Sequence, residues 1–245
     1  MTSDAERFDW RDPAHAAAWL ADRTSGNPQR AEQLEIVLTL LAALQPDGHR
    51  VLDLGCGDAL PAALVLDRFP AAHVTGLDSS PPMLAAARAR LAALPSAAGR
   101  WTLVAAAMQD LPALGLPAGG FDAAVAVQTV HHLTVAEKQT LFRAVAGLLR
   151  PGGLFVLSDR VSLTPAALFP YYRALWNRLP APPDPVRHPP EADYPAHLAR
   201  LAAGGDRPDP VEDQVAWLTA AGFAAAGCFY RYAERAVFGG VTSDT

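Results

Sequence analysis

The chain has 245 residues, of which 51% are hydrophobic and 18% are charged, and its formal net charge is −5 at pH 7. This length and composition exclude a disordered chain and suit a single globular domain with a sizeable core. The acidic balance also argues against a protein that mainly binds nucleic acid, because such proteins present a basic face.

Cysteine usage and the hydrophobic pattern indicate the cellular compartment of the protein. Cys56 and Cys228 are too few and too far apart for a disulfide framework or a zinc site. The first residues show no basic flank followed by an apolar segment, and no apolar run reaches about 18 residues. We therefore expect a cytoplasmic protein with two free thiols, no signal peptide and no membrane span.

The first half of the chain alternates between two kinds of hydrophobic pattern. Apolar positions at helical spacing predict two N-terminal helices, over residues 14–21 and 31–45. Further helices are predicted at 60–68, 81–93 and 135–149, between strands predicted at 50–54, 73–77, 101–106, 121–127 and 153–158. Strands that alternate with helices predict a parallel sheet wound right-handed, with ligands at the carboxyl ends of the strands.

The alternation stops near residue 160. Residues 160–210 are rich in proline and hold an aromatic cluster: Phe169, Tyr171, Tyr172, Trp176 and Tyr194. We expect this segment to be an insertion over the strand ends, whose aromatic residues either wall an acceptor pocket or form their own small core. It is also the most basic part of the chain, through Arg173, Arg178, Arg187, Arg200 and Arg207, which suits an anionic acceptor or a solvated face. A helix over 210–222 and a β-hairpin within 224–240 complete the prediction.

The turn after the first predicted strand, in "RVLDLGCGDAL", indicates a ligand. Asp53 ends that strand, and Gly55 and Gly57 permit a positive φ and a close approach of a ligand to the backbone. The helix that follows directs its N-terminal amides to the same place. Asp78 ends the next strand, where a carboxylate can bind the two hydroxyls of a ribose. The alternative is a tight turn without a ligand, but the second carboxylate favours a nucleoside.

Electrostatics separates two nucleoside cofactors. A dinucleotide fingerprint needs a third glycine, and Leu60 stands in its place. Asp53 and Asp58 flank the turn and disfavour a pyrophosphate, whereas they suit a cation such as a sulfonium. The sequence therefore favours S-adenosylmethionine over NAD.

Four motifs carry a resemblance to a known family. The segments "VLDLGCG", "VTGLDSSPPML", "FDAAVAVQTVHHL" and "LLRPGGLFVLSD" resemble, in this order, motifs of the class I S-adenosylmethionine-dependent methyltransferases. The resemblance covers residues 35–160 and 210–240. It implies a Rossmann-like α/β three-layer sandwich, with a seven-stranded, mostly parallel sheet that ends in an antiparallel hairpin.

The same resemblance implies positions for the cofactor. Gly55, Cys56 and Gly57 would line its methionine part and Asp78 its ribose, with Met83 near the adenine. The full set of candidate cofactor-binding residues is Asp53, Gly55, Cys56, Gly57, Asp78, Ser79, Met83, Met108, Gln109 and Gln128. The family usually has an aspartate at the end of the third strand, where this chain has Ala107. Asp110 either takes over that contact with the adenine or only begins the next turn.

The candidate catalytic residues are His131 and His132, which follow the fourth predicted strand at the rim of the expected site. One of them would act as a general base or orient the acceptor, since histidine titrates near neutral pH. The alternative is a structural turn. The sequence shows no third ligand at a suitable spacing, so we expect no metal site. Asp159 and Arg160 are expected to form an ion pair or to contact the substrate.

These patterns predict a single domain over residues 1–245, in which residues 1–45 form a helical lid that includes Trp10 and Trp19, and residues 160–210 cover the substrate. The predicted function is an S-adenosylmethionine-dependent methyltransferase for a small-molecule acceptor, with nucleic acid unfavoured and a homodimer compatible with the aromatic insertion. One alternative is an enzyme similar to carboxy-S-adenosylmethionine synthase, or otherwise related to tRNA modification. The other is a non-catalytic S-adenosylmethionine-binding module, which only Ala107 supports.

Overall fold

The computed structural model describes residues 9–21, 27, 29–44, 49–178, 191 and 193–244. Two N-terminal helices precede the sheet, α1 (Pro13–Ala21) and α2 (Arg30–Leu44). The alternating part then comprises β1 (Arg50–Leu54), α3 (Leu60–Arg68), β2 (His73–Asp78), α4 (Pro81–Ala92), β3 (Trp101–Ala105), β4 (Phe121–Val127), α5 (Val135–Leu148) and β5 (Leu149–Arg160). The C-terminal part comprises α6 (Phe169–Asn177), α7 (Tyr194–Ala203), α8 (Val211–Ala220), β6 (Phe223–Tyr232) and β7 (Arg235–Thr242).

The strands form one seven-stranded sheet in the order β3-β2-β1-β4-β5-β7-β6. The first five strands pair in parallel, and β7 lies antiparallel between β5 and β6. The direction of the order reverses between β1 and β4, which is where doubly wound sheets bind their ligands. The predicted fold, a mostly parallel sheet closed by an antiparallel hairpin, is confirmed.

Helices cover both faces of the sheet and give three layers. On one face, side chains of α5 and α8 pack on the sheet around Phe142, Phe155 and Phe238. On the other face, α2, α3 and α4 pack around Leu41 and Leu66. Strands that are buried on both faces carry near-continuous apolar runs, which is why their positions could be predicted from the sequence.

The main difference from the predicted elements concerns β5, which extends beyond 153–158 in both directions. At its start Leu149 pairs with Phe121 of β4, and at its end Arg160 pairs with Arg235 of β7. Both extensions depend on strand neighbours that are distant in the sequence. The segment "RPGG" within β5 carries a turn signal that conceals the earlier start.

The inserted segment has its own small core, which confirms the second of the two interpretations for three of its aromatic residues, Phe169, Tyr172 and Tyr194. Phe169 and Tyr194 pack with Leu163, and the Tyr194 hydroxyl accepts a hydrogen bond of 2.5 Å from the Leu163 N–H. α7 is further held by His197, whose Nε2 lies 2.9 Å from a Glu234 carboxylate oxygen on the β6–β7 turn. Residues 179–190, with Arg187 and most of the proline-rich run, lie outside the described residues.

Candidate active site

A cleft lies over the carboxyl ends of β1, β2 and β4. Of the ten candidate cofactor-binding residues, nine line it: Gly55, Cys56, Gly57, Asp78, Ser79, Met83, Met108, Gln109 and Gln128. Its other wall comes from the N-terminal elements, through Trp10, Trp19 and Arg30. None of the five aromatic residues of the insertion lines this cleft.

The glycine turn adopts a backbone conformation that few other residues tolerate. Gly55 and Gly57 both have positive φ, 61° and 55°, and Ala59 follows at 57° as the N-cap residue of α3. A Cβ on Gly55 would lie 2.1 Å from Thr129 Oγ1, so space also requires glycine there. Ala59 takes this left-handed conformation although it has a Cβ, which is uncommon for a residue other than glycine.

Asp78 fits the predicted contact with a ribose. Its Oδ2 accepts a hydrogen bond of 2.8 Å from the Gly57 N–H, and its Oδ1 accepts one of 2.8 Å from the Ser80 N–H. Each carboxylate oxygen keeps a second lone pair, so two acceptors remain for the cleft that Asp78 lines. Burial raises the pKa of Asp78, although the backbone hydrogen bonds oppose that shift. The same side chain therefore fixes the glycine turn and offers acceptors to a diol.

The two other carboxylates of the turn do not contact the cleft in the same way. Asp53 is 1% exposed and lies behind the turn without lining the cleft, so the structure does not bring it into the predicted direct contact with the cofactor. Burial, and then the charge of Asp78, raise the pKa of Asp53 to about 8. Asp58 accepts a hydrogen bond of 2.5 Å from Arg90 Nη2, which neutralises its charge.

The wall expected near the adenine is apolar. Met83 Cε lies 3.3 Å from where a Cβ on Gly57 would stand, so the methionine packs directly on the turn. Met108 and Gln109, in a short 3₁₀ turn, line the cleft beside it, whereas Ala107 does not. Asp110 is exposed and outside the lining, so the structure does not support its replacing the missing aspartate.

The chain after β4 passes across the cleft in a strained conformation. Gln128 has a φ of 55°, and its N–H donates a hydrogen bond of 2.8 Å to the Ser158 carbonyl on β5. Thr129 also lines the cleft, with its Oγ1 3.9 Å from Met108 Sδ. Thr129 escaped sequence analysis, since its role depends on packing against Gly55 and a lone threonine after a strand carries no signal. A non-glycine residue held at positive φ is typical of functional sites.

The two histidines separate into different environments. They end a 3₁₀ turn (Val130–His132), in which successive side chains point about 120° apart. His132 lines the cleft with 28% of its side chain exposed, whereas the His131 side chain is 8% exposed and does not line it. Asp159 holds His131 through the ring Nδ1 and accepts a hydrogen bond of 2.9 Å from its backbone N–H. Burial lowers the pKa of His131, although the Asp159 charge opposes this shift.

Asp206, between α7 and α8, completes this region and was missed by sequence analysis. Its Oδ1 lies 3.3 Å from His132 Nδ1 and 3.6 Å from His131 Nε2, and its Oδ2 lies 3.3 Å from Arg160 Nη1. Although burial opposes it, the hydrogen bond with His132 and the charges of His131 and Arg160 hold the pKa of Asp206 below its usual range. Asp206 is thus the third potential metal ligand beside the two histidines. The sequence showed no such ligand, and this was the reason for expecting no metal site, so that reason does not hold.

Asp159 and Arg160 do not form the expected ion pair with each other. The Asp159 carboxylate binds His131, and the Arg160 guanidinium pairs with Asp206. Adjacent residues on a strand point to opposite faces, which explains why the two side chains take separate partners.

The N-terminal elements form the outer wall of the cleft. The rings of Trp10 and Trp19 meet edge to face at 5.9 Å, and Trp10 lies 5.9 Å from the His132 ring. Arg30 stacks over Trp19 at 5.3 Å and is a lining cation that sequence analysis missed. Ser80 Oγ donates a hydrogen bond to the Trp10 carbonyl and thereby attaches this wall to the N-terminus of α4.

No helix among the described residues is long and apolar enough to cross a membrane. Both cysteines are free; Cys56 is buried at the turn and Cys228 is exposed on β6. Burial raises the pKa of the Cys56 thiol, which disfavours it as a nucleophile.

Comparison with known proteins agrees with this geometry. Residues 51–153 match the model of a family described as a methyltransferase domain. An uncharacterized methyltransferase of Mycobacterium tuberculosis is 38% identical over 115 residues, which are 46% of this chain and 52% of that protein. A trans-aconitate 2-methyltransferase of Methylobacterium nodulans is 33% identical over 173 residues, which are 71% of this chain and 57% of that protein. The chain thus spans just over half the length of these relatives.

The fold is also found among solved structures. Magnesium protoporphyrin IX methyltransferase from Synechocystis, with bound S-adenosylhomocysteine, superposes with a TM-score of 0.58 at 18% identity, over 86% of this chain and 83% of that one. The resemblance to class I S-adenosylmethionine-dependent methyltransferases is therefore confirmed for the fold, and residues 51–153 match a methyltransferase domain.

Proposed function

We propose that this protein is an S-adenosylmethionine-dependent methyltransferase that acts on a small-molecule acceptor. The observation that carries the proposal is one cleft that contains both the Asp78 carboxylate beside the glycine turn and the His132 imidazole. The first suits a nucleoside, and the second suits an acceptor that must lose a proton.

We assign the residues of the cleft to successive parts of the cofactor. Asp78 would hold the ribose, Met83 and Met108 would cover the adenine, and the turn at Gly55 would lie along the methionine part. When bound, S-adenosylmethionine supplies a methyl group on a sulfonium, which is already a good leaving group. The Asp78 carboxylate, which lines the cleft, contributes negative potential that favours this cation. The chain's main task is then to hold the acceptor close and aligned.

His132 is the proposed general base, and Asp206 is the residue that positions it. If the His132 Nδ1–H donates to Asp206 Oδ1, a tautomer that we assign from their 3.3 Å separation, Nε2 carries the lone pair that can take a proton. His131 is unsuited to this role because it does not line the cleft and is held by Asp159. The two histidines would thus have different tasks, one chemical and one structural.

The proposed acceptor class rests on the names of similar proteins. The names of two similar proteins, a trans-aconitate methyltransferase and a magnesium protoporphyrin IX methyltransferase, support a small molecule. Residues 1–45 would act as a lid, through Trp10 and Trp19, and residues 160–210 would cover the acceptor and supply Asp206. Two free cysteines are compatible with a reducing compartment such as the cytoplasm, and the exposed Tyr171 with a homodimer.

The test is methyl transfer from isotopically labelled S-adenosylmethionine to a panel of small carboxylic acids, phenols and amines, measured as S-adenosylhomocysteine formed. We expect turnover with at least one acceptor, and its loss in His132→Gln with unchanged cofactor affinity. Mass spectrometry of any nucleoside that co-purifies separates this function from that of a carboxy-S-adenosylmethionine synthase. Cofactor binding without turnover of any acceptor in the panel would favour the non-catalytic module instead.

A further inference from the structure

Three side chains are arranged as metal ligands, one that lines the cleft and two that lie behind it. His131, His132 and Asp206 each offer one donor atom, and these atoms all lie within 4.8 Å of one another. Asp206 Oδ1 is 3.6 Å from His131 Nε2 and 3.3 Å from His132 Nδ1. Donors bound at about 2.0–2.2 Å to one ion stand roughly 3.0–3.5 Å apart in tetrahedral or octahedral geometry. Small movements would therefore complete the site.

The hydrogen bonding of His131 supports this interpretation independently of the distances. Asp159 Oδ1 binds His131 Nδ1, which assigns the proton to Nδ1 and the lone pair to Nε2. That lone pair lies 3.6 Å from Asp206 Oδ1, so two acceptors are close neighbours unless a cation lies between them. A carboxylate on the far nitrogen is also the usual outer partner of a metal-binding histidine.

Charge and access indicate which kind of ion would bind. Asp206 Oδ2 is paired with Arg160, which leaves Oδ1 for a metal, and the nearby Arg235 is also cationic. A site with little net negative charge and two imidazoles disfavours Mg²⁺ and Ca²⁺, which depend on oxygen ligands. It suits a borderline-soft ion. Because His132 lines the cleft, an ion bound to it would be accessible from the cleft.

We propose that His131 Nε2, His132 Nδ1 and Asp206 Oδ1 bind one divalent transition-metal ion such as Zn²⁺. Two imidazoles and one carboxylate with open positions form the pattern of a reactive, not a purely structural, metal site. One consequence rests on the proposed function. With its Nδ1 bound to the ion, the neutral His132 ring carries its proton on Nε2 and cannot act as the base, so Zn²⁺ inhibits any transfer that needs this base.

The site is tested by calorimetric titration of the chelator-treated full chain with Zn²⁺, without cofactor or acceptor, so that the result is independent of methyl transfer. We expect one ion per chain, and at least tenfold weaker binding in His132→Gln and in Asp206→Asn. The positioning variant Asp159→Asn should weaken binding 10- to 100-fold, because it removes the outer partner of His131. His73→Gln, an exposed histidine, is the matched control and should bind as the wild type does.

Either of two results would overturn the proposal. The first is no stoichiometric binding of Zn²⁺ to the wild type, which would mean that a proton and not a metal separates His131 from Asp206. The second is an unchanged affinity for Zn²⁺ in His132→Gln and Asp206→Asn. Absorption of the Co²⁺-loaded wild type keeps the test decisive where a variant fails to fold. We expect d–d bands without a thiolate charge-transfer band. A thiolate band would assign the ion to Cys56 or Cys228 and contradict the site.

Discussion

Replacement of Asp78 by asparagine removes one acceptor oxygen and the negative charge while keeping the size of the side chain. Each carboxylate oxygen already accepts one backbone N–H, from Gly57 or Ser80, which leaves one acceptor per oxygen for the ribose. A hydrogen bond to a charged group contributes roughly 1.5–3 kcal/mol. Asp78→Asn should therefore raise the dissociation constant for S-adenosylhomocysteine roughly 10- to 150-fold. Asp110→Asn, exposed and outside the cleft, should leave it unchanged.

The assay is calorimetry, repeated with adenosine and with 2′,3′-dideoxyadenosine. The wild type should prefer adenosine, and Asp78→Asn should lose most of that preference, since the two ligands differ only in the ribose hydroxyls. Thermal denaturation of the free proteins accounts for any loosening of the turn that Asp78 also holds. Equal affinity of wild type and variant, or a ribose preference that survives the substitution, would refute the assignment of Asp78.

Three further predictions follow from other parts of the site. His132→Gln should lower kcat 10²- to 10⁴-fold, with no change in cofactor affinity and no effect of the surface control His73→Gln; full activity would remove the base. In urea denaturation, Gly55→Ala should lose about 2–4 kcal/mol of unfolding free energy, because the substitution combines a positive φ with a steric clash. The control Gly99→Ala, at φ 73° in open space, should lose only about 1 kcal/mol. The pKa of Asp53 is raised from 3.8 to about 8 in the folded state. The contribution of Asp53 to the unfolding free energy is therefore fully present below about pH 4 and is lost as the pH rises towards 8. Unfolding free energy measured from pH 4 to 8 should thus fall less in Asp53→Asn than in the wild type; parallel curves would show that Asp53 ionises normally.

The sheet and the glycine turn could be predicted because their causes are local in sequence. Buried parallel strands require apolar runs, and β1 and β4 occur at the predicted residues. The contact of Asp78 with the turn could also be expected, since the first two strands are adjacent and their carboxyl ends meet. Once the fold is predicted, it brings residues at the ends of neighbouring strands close together.

The acceptor side of the cleft could not be predicted, because tertiary packing decides it. Asp206 comes from the inserted segment. Nothing in the sequence around it indicates that it would contact two histidines that follow β4. Which of His131 and His132 faces the cleft depends on the phase of one 3₁₀ turn, which Asp159 fixes from β5. Asp53 was misplaced for a similar reason, since burial behind the turn is a property of the packed structure.

Calorimetric titration of the wild-type chain with S-adenosylmethionine, S-adenosylhomocysteine and NAD would establish whether the cleft binds a nucleoside sulfonium. We predict binding of one molecule of either of the first two per chain and no heat of binding with NAD. Binding of NAD, or no binding of either adenosyl compound, would contradict the account.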